Sequence, residues 1–280
     1  MIKQITELSE QEYLLCGTRA CSGCGLAIAY RHALKALGKN TIIVIPACCA
    51  TVLQGMYPVS SAQVTIVNTA FETTASAAAG IYAGLQATKN KHNFNVVGWA
   101  GDGGTVDIGL QALSAAAERN DNIIYVCYDN EAYMNTGTQR SGATPENALT
   151  TTTPLFGKKH KKKDIIKIME AHNIPYIATC SPAYPVDLYN KFLKAKSIQG
   201  FKFIYIFIPC PPGWGFNPAQ TIKIGKLAAE CGIFELFEII NGEKIYNGIT
   251  ERIKNNKQPK KNPVEYYSLQ MRFKNLSKNK

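Results

Sequence analysis

Six short runs of apolar and β-branched residues, at 41–46, 64–68, 94–100, 122–128, 174–179 and 202–209, alternate with segments of helical spacing. Those segments fall at 25–37, 72–88, 108–119, 164–171, 187–197 and 220–231. The runs are nearly continuous in apolar residues, as strands are when helices cover both faces of a parallel sheet. Alternation of this kind predicts an α/β chain of three layers around a mostly parallel sheet. At 280 residues the chain is long enough for one sizeable core, and no internal repeat divides it. Two stretches break the rhythm. Residues 131–163 are rich in Asn, Gly, Thr and Pro, and a loop this long in a compact domain is usually functional or disordered. After Asn241 the chain turns polar and basic. The expected organisation is one domain over 1–245 and a basic C-terminal extension over 246–280, with an exposed linker at 255–262. The weakly amphipathic segment 266–276 is expected to dock on another subunit.

Charge and hydropathy exclude more than they assign. Lys and Arg outnumber Asp and Glu by 31 to 20, but much of the excess lies in Lys158-Lys159-His160-Lys161-Lys162-Lys163 and in the tail from Lys254. Neither run interleaves bases with aromatics as a nucleic-acid-binding face does, so both are read as solvated loop and tail. No apolar run reaches the roughly 18 residues a membrane helix needs. The N-terminal MIKQITELSEQEY mixes acids and bases, unlike an export signal. A cytoplasmic protein with no nucleic-acid or membrane partner is expected.

The run at 94–100 leads directly into Gly101-Asp102-Gly103-Gly104 and then a helix. Glycines at a strand-to-helix turn let backbone amides approach phosphate closely, and the helix N-terminus favours it. A carboxylate among those amides repels phosphate unless a divalent cation lies between, which suggests a Mg²⁺–diphosphate site with Asp102 as a hard oxygen ligand. The next strand ends in Asp129-Asn130-Glu131-Ala132, placing Asn130 28 residues beyond Asp102. Strand, helix and strand of that length bring both ends to one edge of a parallel sheet. The Asn130 amide oxygen and the Ala132 carbonyl can then complete the magnesium shell.

The nine cysteines are an odd number in a chain without an export signal, which argues against a disulfide framework. Cys21-Ser22-Gly23-Cys24 opens a helix, and such a pair suits zinc, a redox couple or an iron–sulfur cluster. Cys48, Cys49 and Cys210 lie at strand ends, where crevices form in open sheets. Cys16, Cys127, Cys180 and Cys231 are expected to be small buried hydrophobes. The four histidines, His32, His92, His160 and His172, form no catalytic or zinc pattern.

A Gly-Asp-Gly followed about thirty residues later by Asn resembles the signature of thiamine diphosphate enzymes. The wider stretch GWAGDGGTVDIGLQALSAAAERNDNIIYVCYDNEAYMNTGTQRSGATP resembles β subunits of the pyruvate:ferredoxin oxidoreductase (pyruvate synthase) family of 2-oxoacid:ferredoxin oxidoreductases. AHNIPYIATCSPAYPVDL and PVEYYSLQMRF extend the likeness over nearly the whole chain. The resemblance implies a thiamine-diphosphate-binding fold whose cofactor is held by Gly101, Asp102, Gly103 and Gly104, and by Asn130, Glu131, Ala132, Tyr133, Met134 and Asn135. Asn135 matches the family's Asn-Thr-Gly asparagine beside thiamine and substrate, and is the catalytic candidate. Asp102, Asn130 and Ala132 would hold Mg²⁺. The resemblance further implies a [4Fe–4S] cluster on Cys21, Cys24, Cys49 and Cys210, the last in Pro-Cys-Pro-Pro-Gly-Trp. The tandem Cys48-Cys49 leaves a one-residue choice; spacing favours Cys49, also counted among the cofactor-contacting residues.

The implied reaction is oxidation of pyruvate to acetyl-coenzyme A and CO₂, or the reverse, with electrons passing through the cluster to ferredoxin or flavodoxin. Branched, aryl or oxalate substrates are the alternative within the family. No residue matches the family's cofactor-activating glutamate, which resembles one from the α subunit, and Glu72 before a helix serves equally as a helix-start carboxylate. The chain is thus expected to be half an active site, completed by α, γ and δ subunits. A carboligase would leave the cysteines unexplained. A zinc or nucleic-acid module would leave Asp102 and Asn130 idle.

Overall fold

The computed structural model describes residues 1–88 and 94–276. His92 lies outside these residues. In chain order the main elements are α1 (Gly25–Leu37), β1 (Thr41–Pro46), α2 (Cys49–Gln54), β2 (Thr65–Thr69), α3 (Thr74–Ala87) and β3 (Asn95–Gly101). A π-helical turn, Gly103–Asp107, leads to α4 (Leu110–Glu118), β4 (Ile124–Asp129), α5 (Ile165–Glu170), β5 (Tyr176–Cys180) and α6 (Pro185–Ser197). Then come β6 (Lys202–Phe207), α7 (Pro211–Trp214), α8 (Thr221–Glu230), β7 (Phe237–Ile240), β8 (Glu243–Tyr246), α9 (Gly248–Lys254) and α10 (Pro263–Tyr267).

The strands form one sheet in the order β2-β1-β3-β4-β6-β5-β7-β8. The first six run parallel, and β7 and β8 add an antiparallel hairpin at one edge. Along β4, Tyr125 and Cys127 point into one apolar cluster with α3, α4, α5 and α8, while Val126 and Tyr128 point into a second with α1, α2 and α6. This alternation, within a run that is buried throughout, is the three-layer arrangement the sequence predicts. Leu26, Ala29, Tyr30, Ala33, Leu34 and Leu37 recur at helical spacing on α1, which packs against α6.

Four expectations need correction. The hairpin of β7 and β8 is absent from the expected strands; β8 is largely exposed and both strands carry charged residues, Glu238 in β7 and Glu243 and Lys244 in β8. Residue 246 falls inside β8, and the chain beyond it is built into the body: Ile249, Tyr266 and Phe273 are buried in the main core. The segment 266–276 thus packs on this chain's own core through Tyr266 and Phe273, while Met271 stays exposed. Cys16 is exposed, whereas Cys127, Cys180 and Cys231 are buried as expected. Finally, the lysine run is not uniformly solvated. Lys158 is 3% exposed, donating to Gly142 O at 3.0 Å and Thr144 O at 2.6 Å, while Lys163 pairs with Asp107 at 2.8 Å.

Candidate active site

From β1 the chain goes outward to β2 and then crosses back to β3, so the strand order reverses between β1 and β3. Crevices at such a reversal, beyond the carboxyl ends of the strands, are where open sheets take ligands. A cleft of about 140 Å³ opens there, lined by Cys48 and Cys49 after β1 and by Gly101, Asp102, Gly103 and Gly104 after β3. Asn130, Ala132, Tyr133, Met134 and Asn135, from the loop after β4, form its other wall. The structure thus brings together every expected cofactor residue except Glu131, whose side chain turns away.

Asp102 is buried, with Ser141 Oγ donating to its Oδ2. Burial, reinforced by the charge of Asp129, pushes its carboxyl well above the usual carboxylate range. One terminal atom of the Asn130 amide lies 2.9 Å from the Ala132 carbonyl oxygen and 3.1 Å from Asp102 Oδ1. With nitrogen there, the amide donates to both. With oxygen there, three acceptor oxygens converge and only a cation offsets their repulsion. This donor set of carboxylate, amide and carbonyl oxygen fits a hard divalent ion.

Beneath the cleft runs a buried ionic network. Glu131, held at φ +66°, donates its N–H to Asp129 Oδ1 at 2.7 Å. Lys162 reaches Asp129 Oδ2 at 3.2 Å and Glu131 Oε1 at 3.0 Å, and the Tyr205 hydroxyl donates to Asp129 Oδ2. Arg272 Nη1 stands 2.7 Å from Glu131 Oε2, as an ion pair without a linear hydrogen bond. Burial raises the Glu131 pKa, but Lys162 and then Arg272 more than offset it and hold the carboxyl below its ordinary value. Glu131 is an anchor of the loop, not part of the cleft lining.

A second cavity, of about 310 Å³, adjoins the cleft. Cys21, Cys24, Cys49 and Cys210 all line it, whereas Cys48 does not. Cys48 lines the first cleft instead, and its thiol is buried, with the sulfur 4.0 Å from the Thr51 hydroxyl. Cys21 and Cys24 arrive with the start of α1, Cys49 with β1 and Cys210 with β6. Burial, assisted by the neighbouring sulfurs, pushes the Cys49 and Cys210 thiols up to about 12 and raises Cys24 as well. Positive charge in the cavity would reverse that and favour thiolates. Among the described residues no three Cys, His, Asp or Glu side chains converge as a single tetrahedral zinc ion requires. Four cysteines lining one cavity match the thiolate donor set of an iron–sulfur cluster.

Cys49, Asn130, Met134 and Asn135 line both spaces. Asn135 is exposed at their common mouth. Glu72 is exposed and lines neither. Among the described residues the histidines line neither space: His32 bonds Ile28 O at 2.7 Å and His172 bonds Ser114 Oγ at 3.1 Å. Sequence reasoning missed Phe71, which lines the cleft, and Ser141, Lys162, Tyr205, Trp214 and Arg272, which hold its walls. Trp214 ends the Pro-Cys-Pro-Pro-Gly-Trp motif and Ser141 follows Asn135 by six residues, but nothing local marks their contacts, and Phe71, Lys162, Tyr205 and Arg272 come from segments further away.

Fold and cleft define a thiamine-diphosphate-binding protein: residues 47–206 match the family model described as thiamine pyrophosphate enzyme, C-terminal TPP binding domain. The chain belongs to the β subunits of the 2-oxoacid:ferredoxin oxidoreductase family. It is 46% identical to ketoisovalerate oxidoreductase subunit VorB of Pyrococcus furiosus, over 99% of this chain and 90% of that one. It is also 46% identical to pyruvate synthase subunit PorB of Methanothermobacter thermautotrophicus, over 97% and 93%. Among solved structures, 2-oxoglutarate:ferredoxin oxidoreductase from Magnetococcus marinus shares the fold, with TM-score 0.63 at 16% identity, over 96% of this chain and 99% of that one. Among the described residues no helix is long and apolar enough to cross a membrane.

Proposed function

We propose that this subunit holds thiamine diphosphate, Mg²⁺ and a [4Fe–4S] cluster in a pyruvate:ferredoxin oxidoreductase assembled with α, γ and δ subunits. The observation that carries this reading is the shared wall: one loop, with Cys49, separates an oxygen-lined cleft from a cavity ringed by four cysteines. Bound thiamine diphosphate supplies the electron sink that lets a 2-oxo acid lose CO₂. Asp102, Asn130 and the Ala132 carbonyl would hold the metal of the diphosphate, with Ser141 fixing the Asp102 rotamer. Gly103 and Gly104 keep the turn free of side chains where the diphosphate would lie. Asn135, at the mouth, orients polar groups of substrate. Cys21, Cys24, Cys49 and Cys210 would ligate the cluster, which would supply one-electron transfer towards ferredoxin or flavodoxin in a reaction that uses coenzyme A as acyl acceptor.

A cleft of about 140 Å³ is smaller than the roughly 300–1,000 Å³ usual for a ligand site. That supports a site completed by another subunit, which would also bring the missing activating glutamate. Pyruvate and ketoisovalerate relatives are equally similar to this chain, so the alternative substrate is a branched 2-oxo acid.

Anaerobic purification with the partner subunits is expected to give about four iron and four sulfide per chain, plus thiamine diphosphate. Cys21→Ser or Cys210→Ser is expected to lose the iron, and Cys48→Ser to keep it. Thiamine without iron, or zinc in place of iron, overturns the cluster assignment. Comparing kcat/KM for pyruvate and ketoisovalerate decides the substrate: a preference for ketoisovalerate overturns the pyruvate reading alone.

A further inference from the structure

Three segments far apart in sequence are clipped together beneath the shared wall: the loop after β4, the Cys210 loop after β6, and the C-terminal turn at Met271–Phe273. Trp214 Nε1, four residues beyond Cys210, donates to Asn130 O at 2.8 Å. A Cβ on Gly213 would lie 2.1 Å from Met134 Sδ, so the two loops are in close contact there. The C-terminal turn closes over both. Met271 N donates to Gly215 O at 3.2 Å, and Leu149 N donates to Arg272 O at 2.8 Å.

At the centre is Arg272, 5% exposed. Its guanidinium carbon sits over the Trp214 ring, 3.6 Å from the centroid, and the group pairs with Glu131 at 2.7 Å. Gln270 Oε1 accepts its Nε–H at 2.8 Å, and Tyr266 OH accepts from Nη2 at 3.1 Å. One planar cation is thus stacked on the cysteine loop and ion-paired to the residue between two proposed magnesium ligands, Asn130 and Ala132. Stacking and fixed fork geometry belong to Arg and not to Lys.

We propose that Arg272 is a positioning residue that fixes the metal–diphosphate loop against the cluster loop, so that the C-terminal turn sets both sites at once. The inference rests on the cofactor reading above and goes beyond it, since it assigns the role to a residue that touches neither group.

The test uses the full chain with its partner subunits. Arg272→Lys keeps the charge but loses the stacked plane, and Glu131→Gln removes the paired carboxylate. Both are expected to raise the Mg²⁺ concentration for half-saturation with thiamine diphosphate about tenfold or more, the usual effect of losing a group that orients a metal ligand. Arg272→Lys is also expected to change the electron paramagnetic resonance signal of the reduced cluster. Ile249→Ala, at a buried position on α9, controls for stability: it lowers Tm and leaves both readouts at wild type. Wild-type Mg²⁺ half-saturation and cluster signal in Arg272→Lys overturn the proposal. So does a shift in Ile249→Ala equal to that in Arg272→Lys, which reduces the effect to stability. If the wild-type complex binds no thiamine diphosphate with Mg²⁺, the cofactor reading itself falls and takes this inference with it.

Discussion

Lys202, the first residue of β6, is 4% exposed, and its ammonium donates to Asn122 Oδ1 at 2.5 Å. Burial pushes its pKa down to about 8, against about 10.4 in an unfolded chain. Between those values the unfolded chain binds more protons, so stability rises with pH across that window, and the charged lysine costs stability at neutral pH. Lys202→Met leaves Asn122 Oδ1 still accepting from Gly200 N–H. It is expected to raise Tm at pH 7 by about 2–4 °C, with the advantage over wild type narrowing by about pH 10. Thermal melts at the two pH values check this, and a variant less stable at pH 7 refutes it. The lysines at 158, 162 and 163 carry a related lesson. In sequence they form one solvated run, yet Lys158 and the Lys162 ammonium are drawn inward by carbonyls and carboxylates supplied from 14 to 33 positions away. A charge run shows how many cations there are, not which of them meet a buried anion.

At the scale of elements, the strands were the most legible part. The run at 41–46 coincides with β1 and the segment at 25–37 with α1, and the other strand ends differ by a residue or two. The turn after β3 was legible as a glycine turn but not as a π-helical one. Its defining bond, Ile108 N–H to Gly103 O at 3.3 Å, spans five residues, the wider turn that the glycine pattern alone does not announce. A Cβ on Gly103 would lie 2.2 Å from the Tyr133 ring, and that ring is pinned because its hydroxyl donates to Asp107 Oδ2 at 2.8 Å. Gly103→Ala is therefore expected to cost about 1–3 kcal/mol by overpacking, and to displace the loop after β4. Urea unfolding should show the loss and calorimetry a weakened uptake of thiamine diphosphate with Mg²⁺. Unchanged affinity would show that the Gly103–Tyr133 contact does not shape the cleft.

At the scale of the whole molecule, the C-terminal 35 residues decide whether the chain has one body or two. Ile249, Tyr266 and Phe273 are each 3% exposed or less and belong to the larger apolar cluster, and Arg272 neutralises a buried carboxylate. Deletion of residues 247–280 removes all four. Losing each large buried apolar side chain costs about 2–5 kcal/mol, and stripping a partner from a buried ion pair about 3–5 kcal/mol. Against the roughly 5–15 kcal/mol that holds a native protein together, the truncated chain is expected to lose its cooperative unfolding transition by circular dichroism. A truncated chain that melts cooperatively near the wild-type Tm would restore the division expected near residue 246.

The sequence by itself determined the parts whose physics is local. Strand and helix periods, the glycine turn with its aspartate, the asparagine one strand later and the paired cysteines all announce themselves within a few residues. The quoted motifs sufficed to place the family. The tertiary structure decided what depends on convergence. It put Cys49 and not Cys48 beside Cys21, Cys24 and Cys210, turned Glu131 from the cleft into an ionic anchor, and brought Arg272 beneath both sites. Side chains separated by more than a hundred positions meet only because the parallel strands end at one edge of the sheet, and no local pattern records such a meeting.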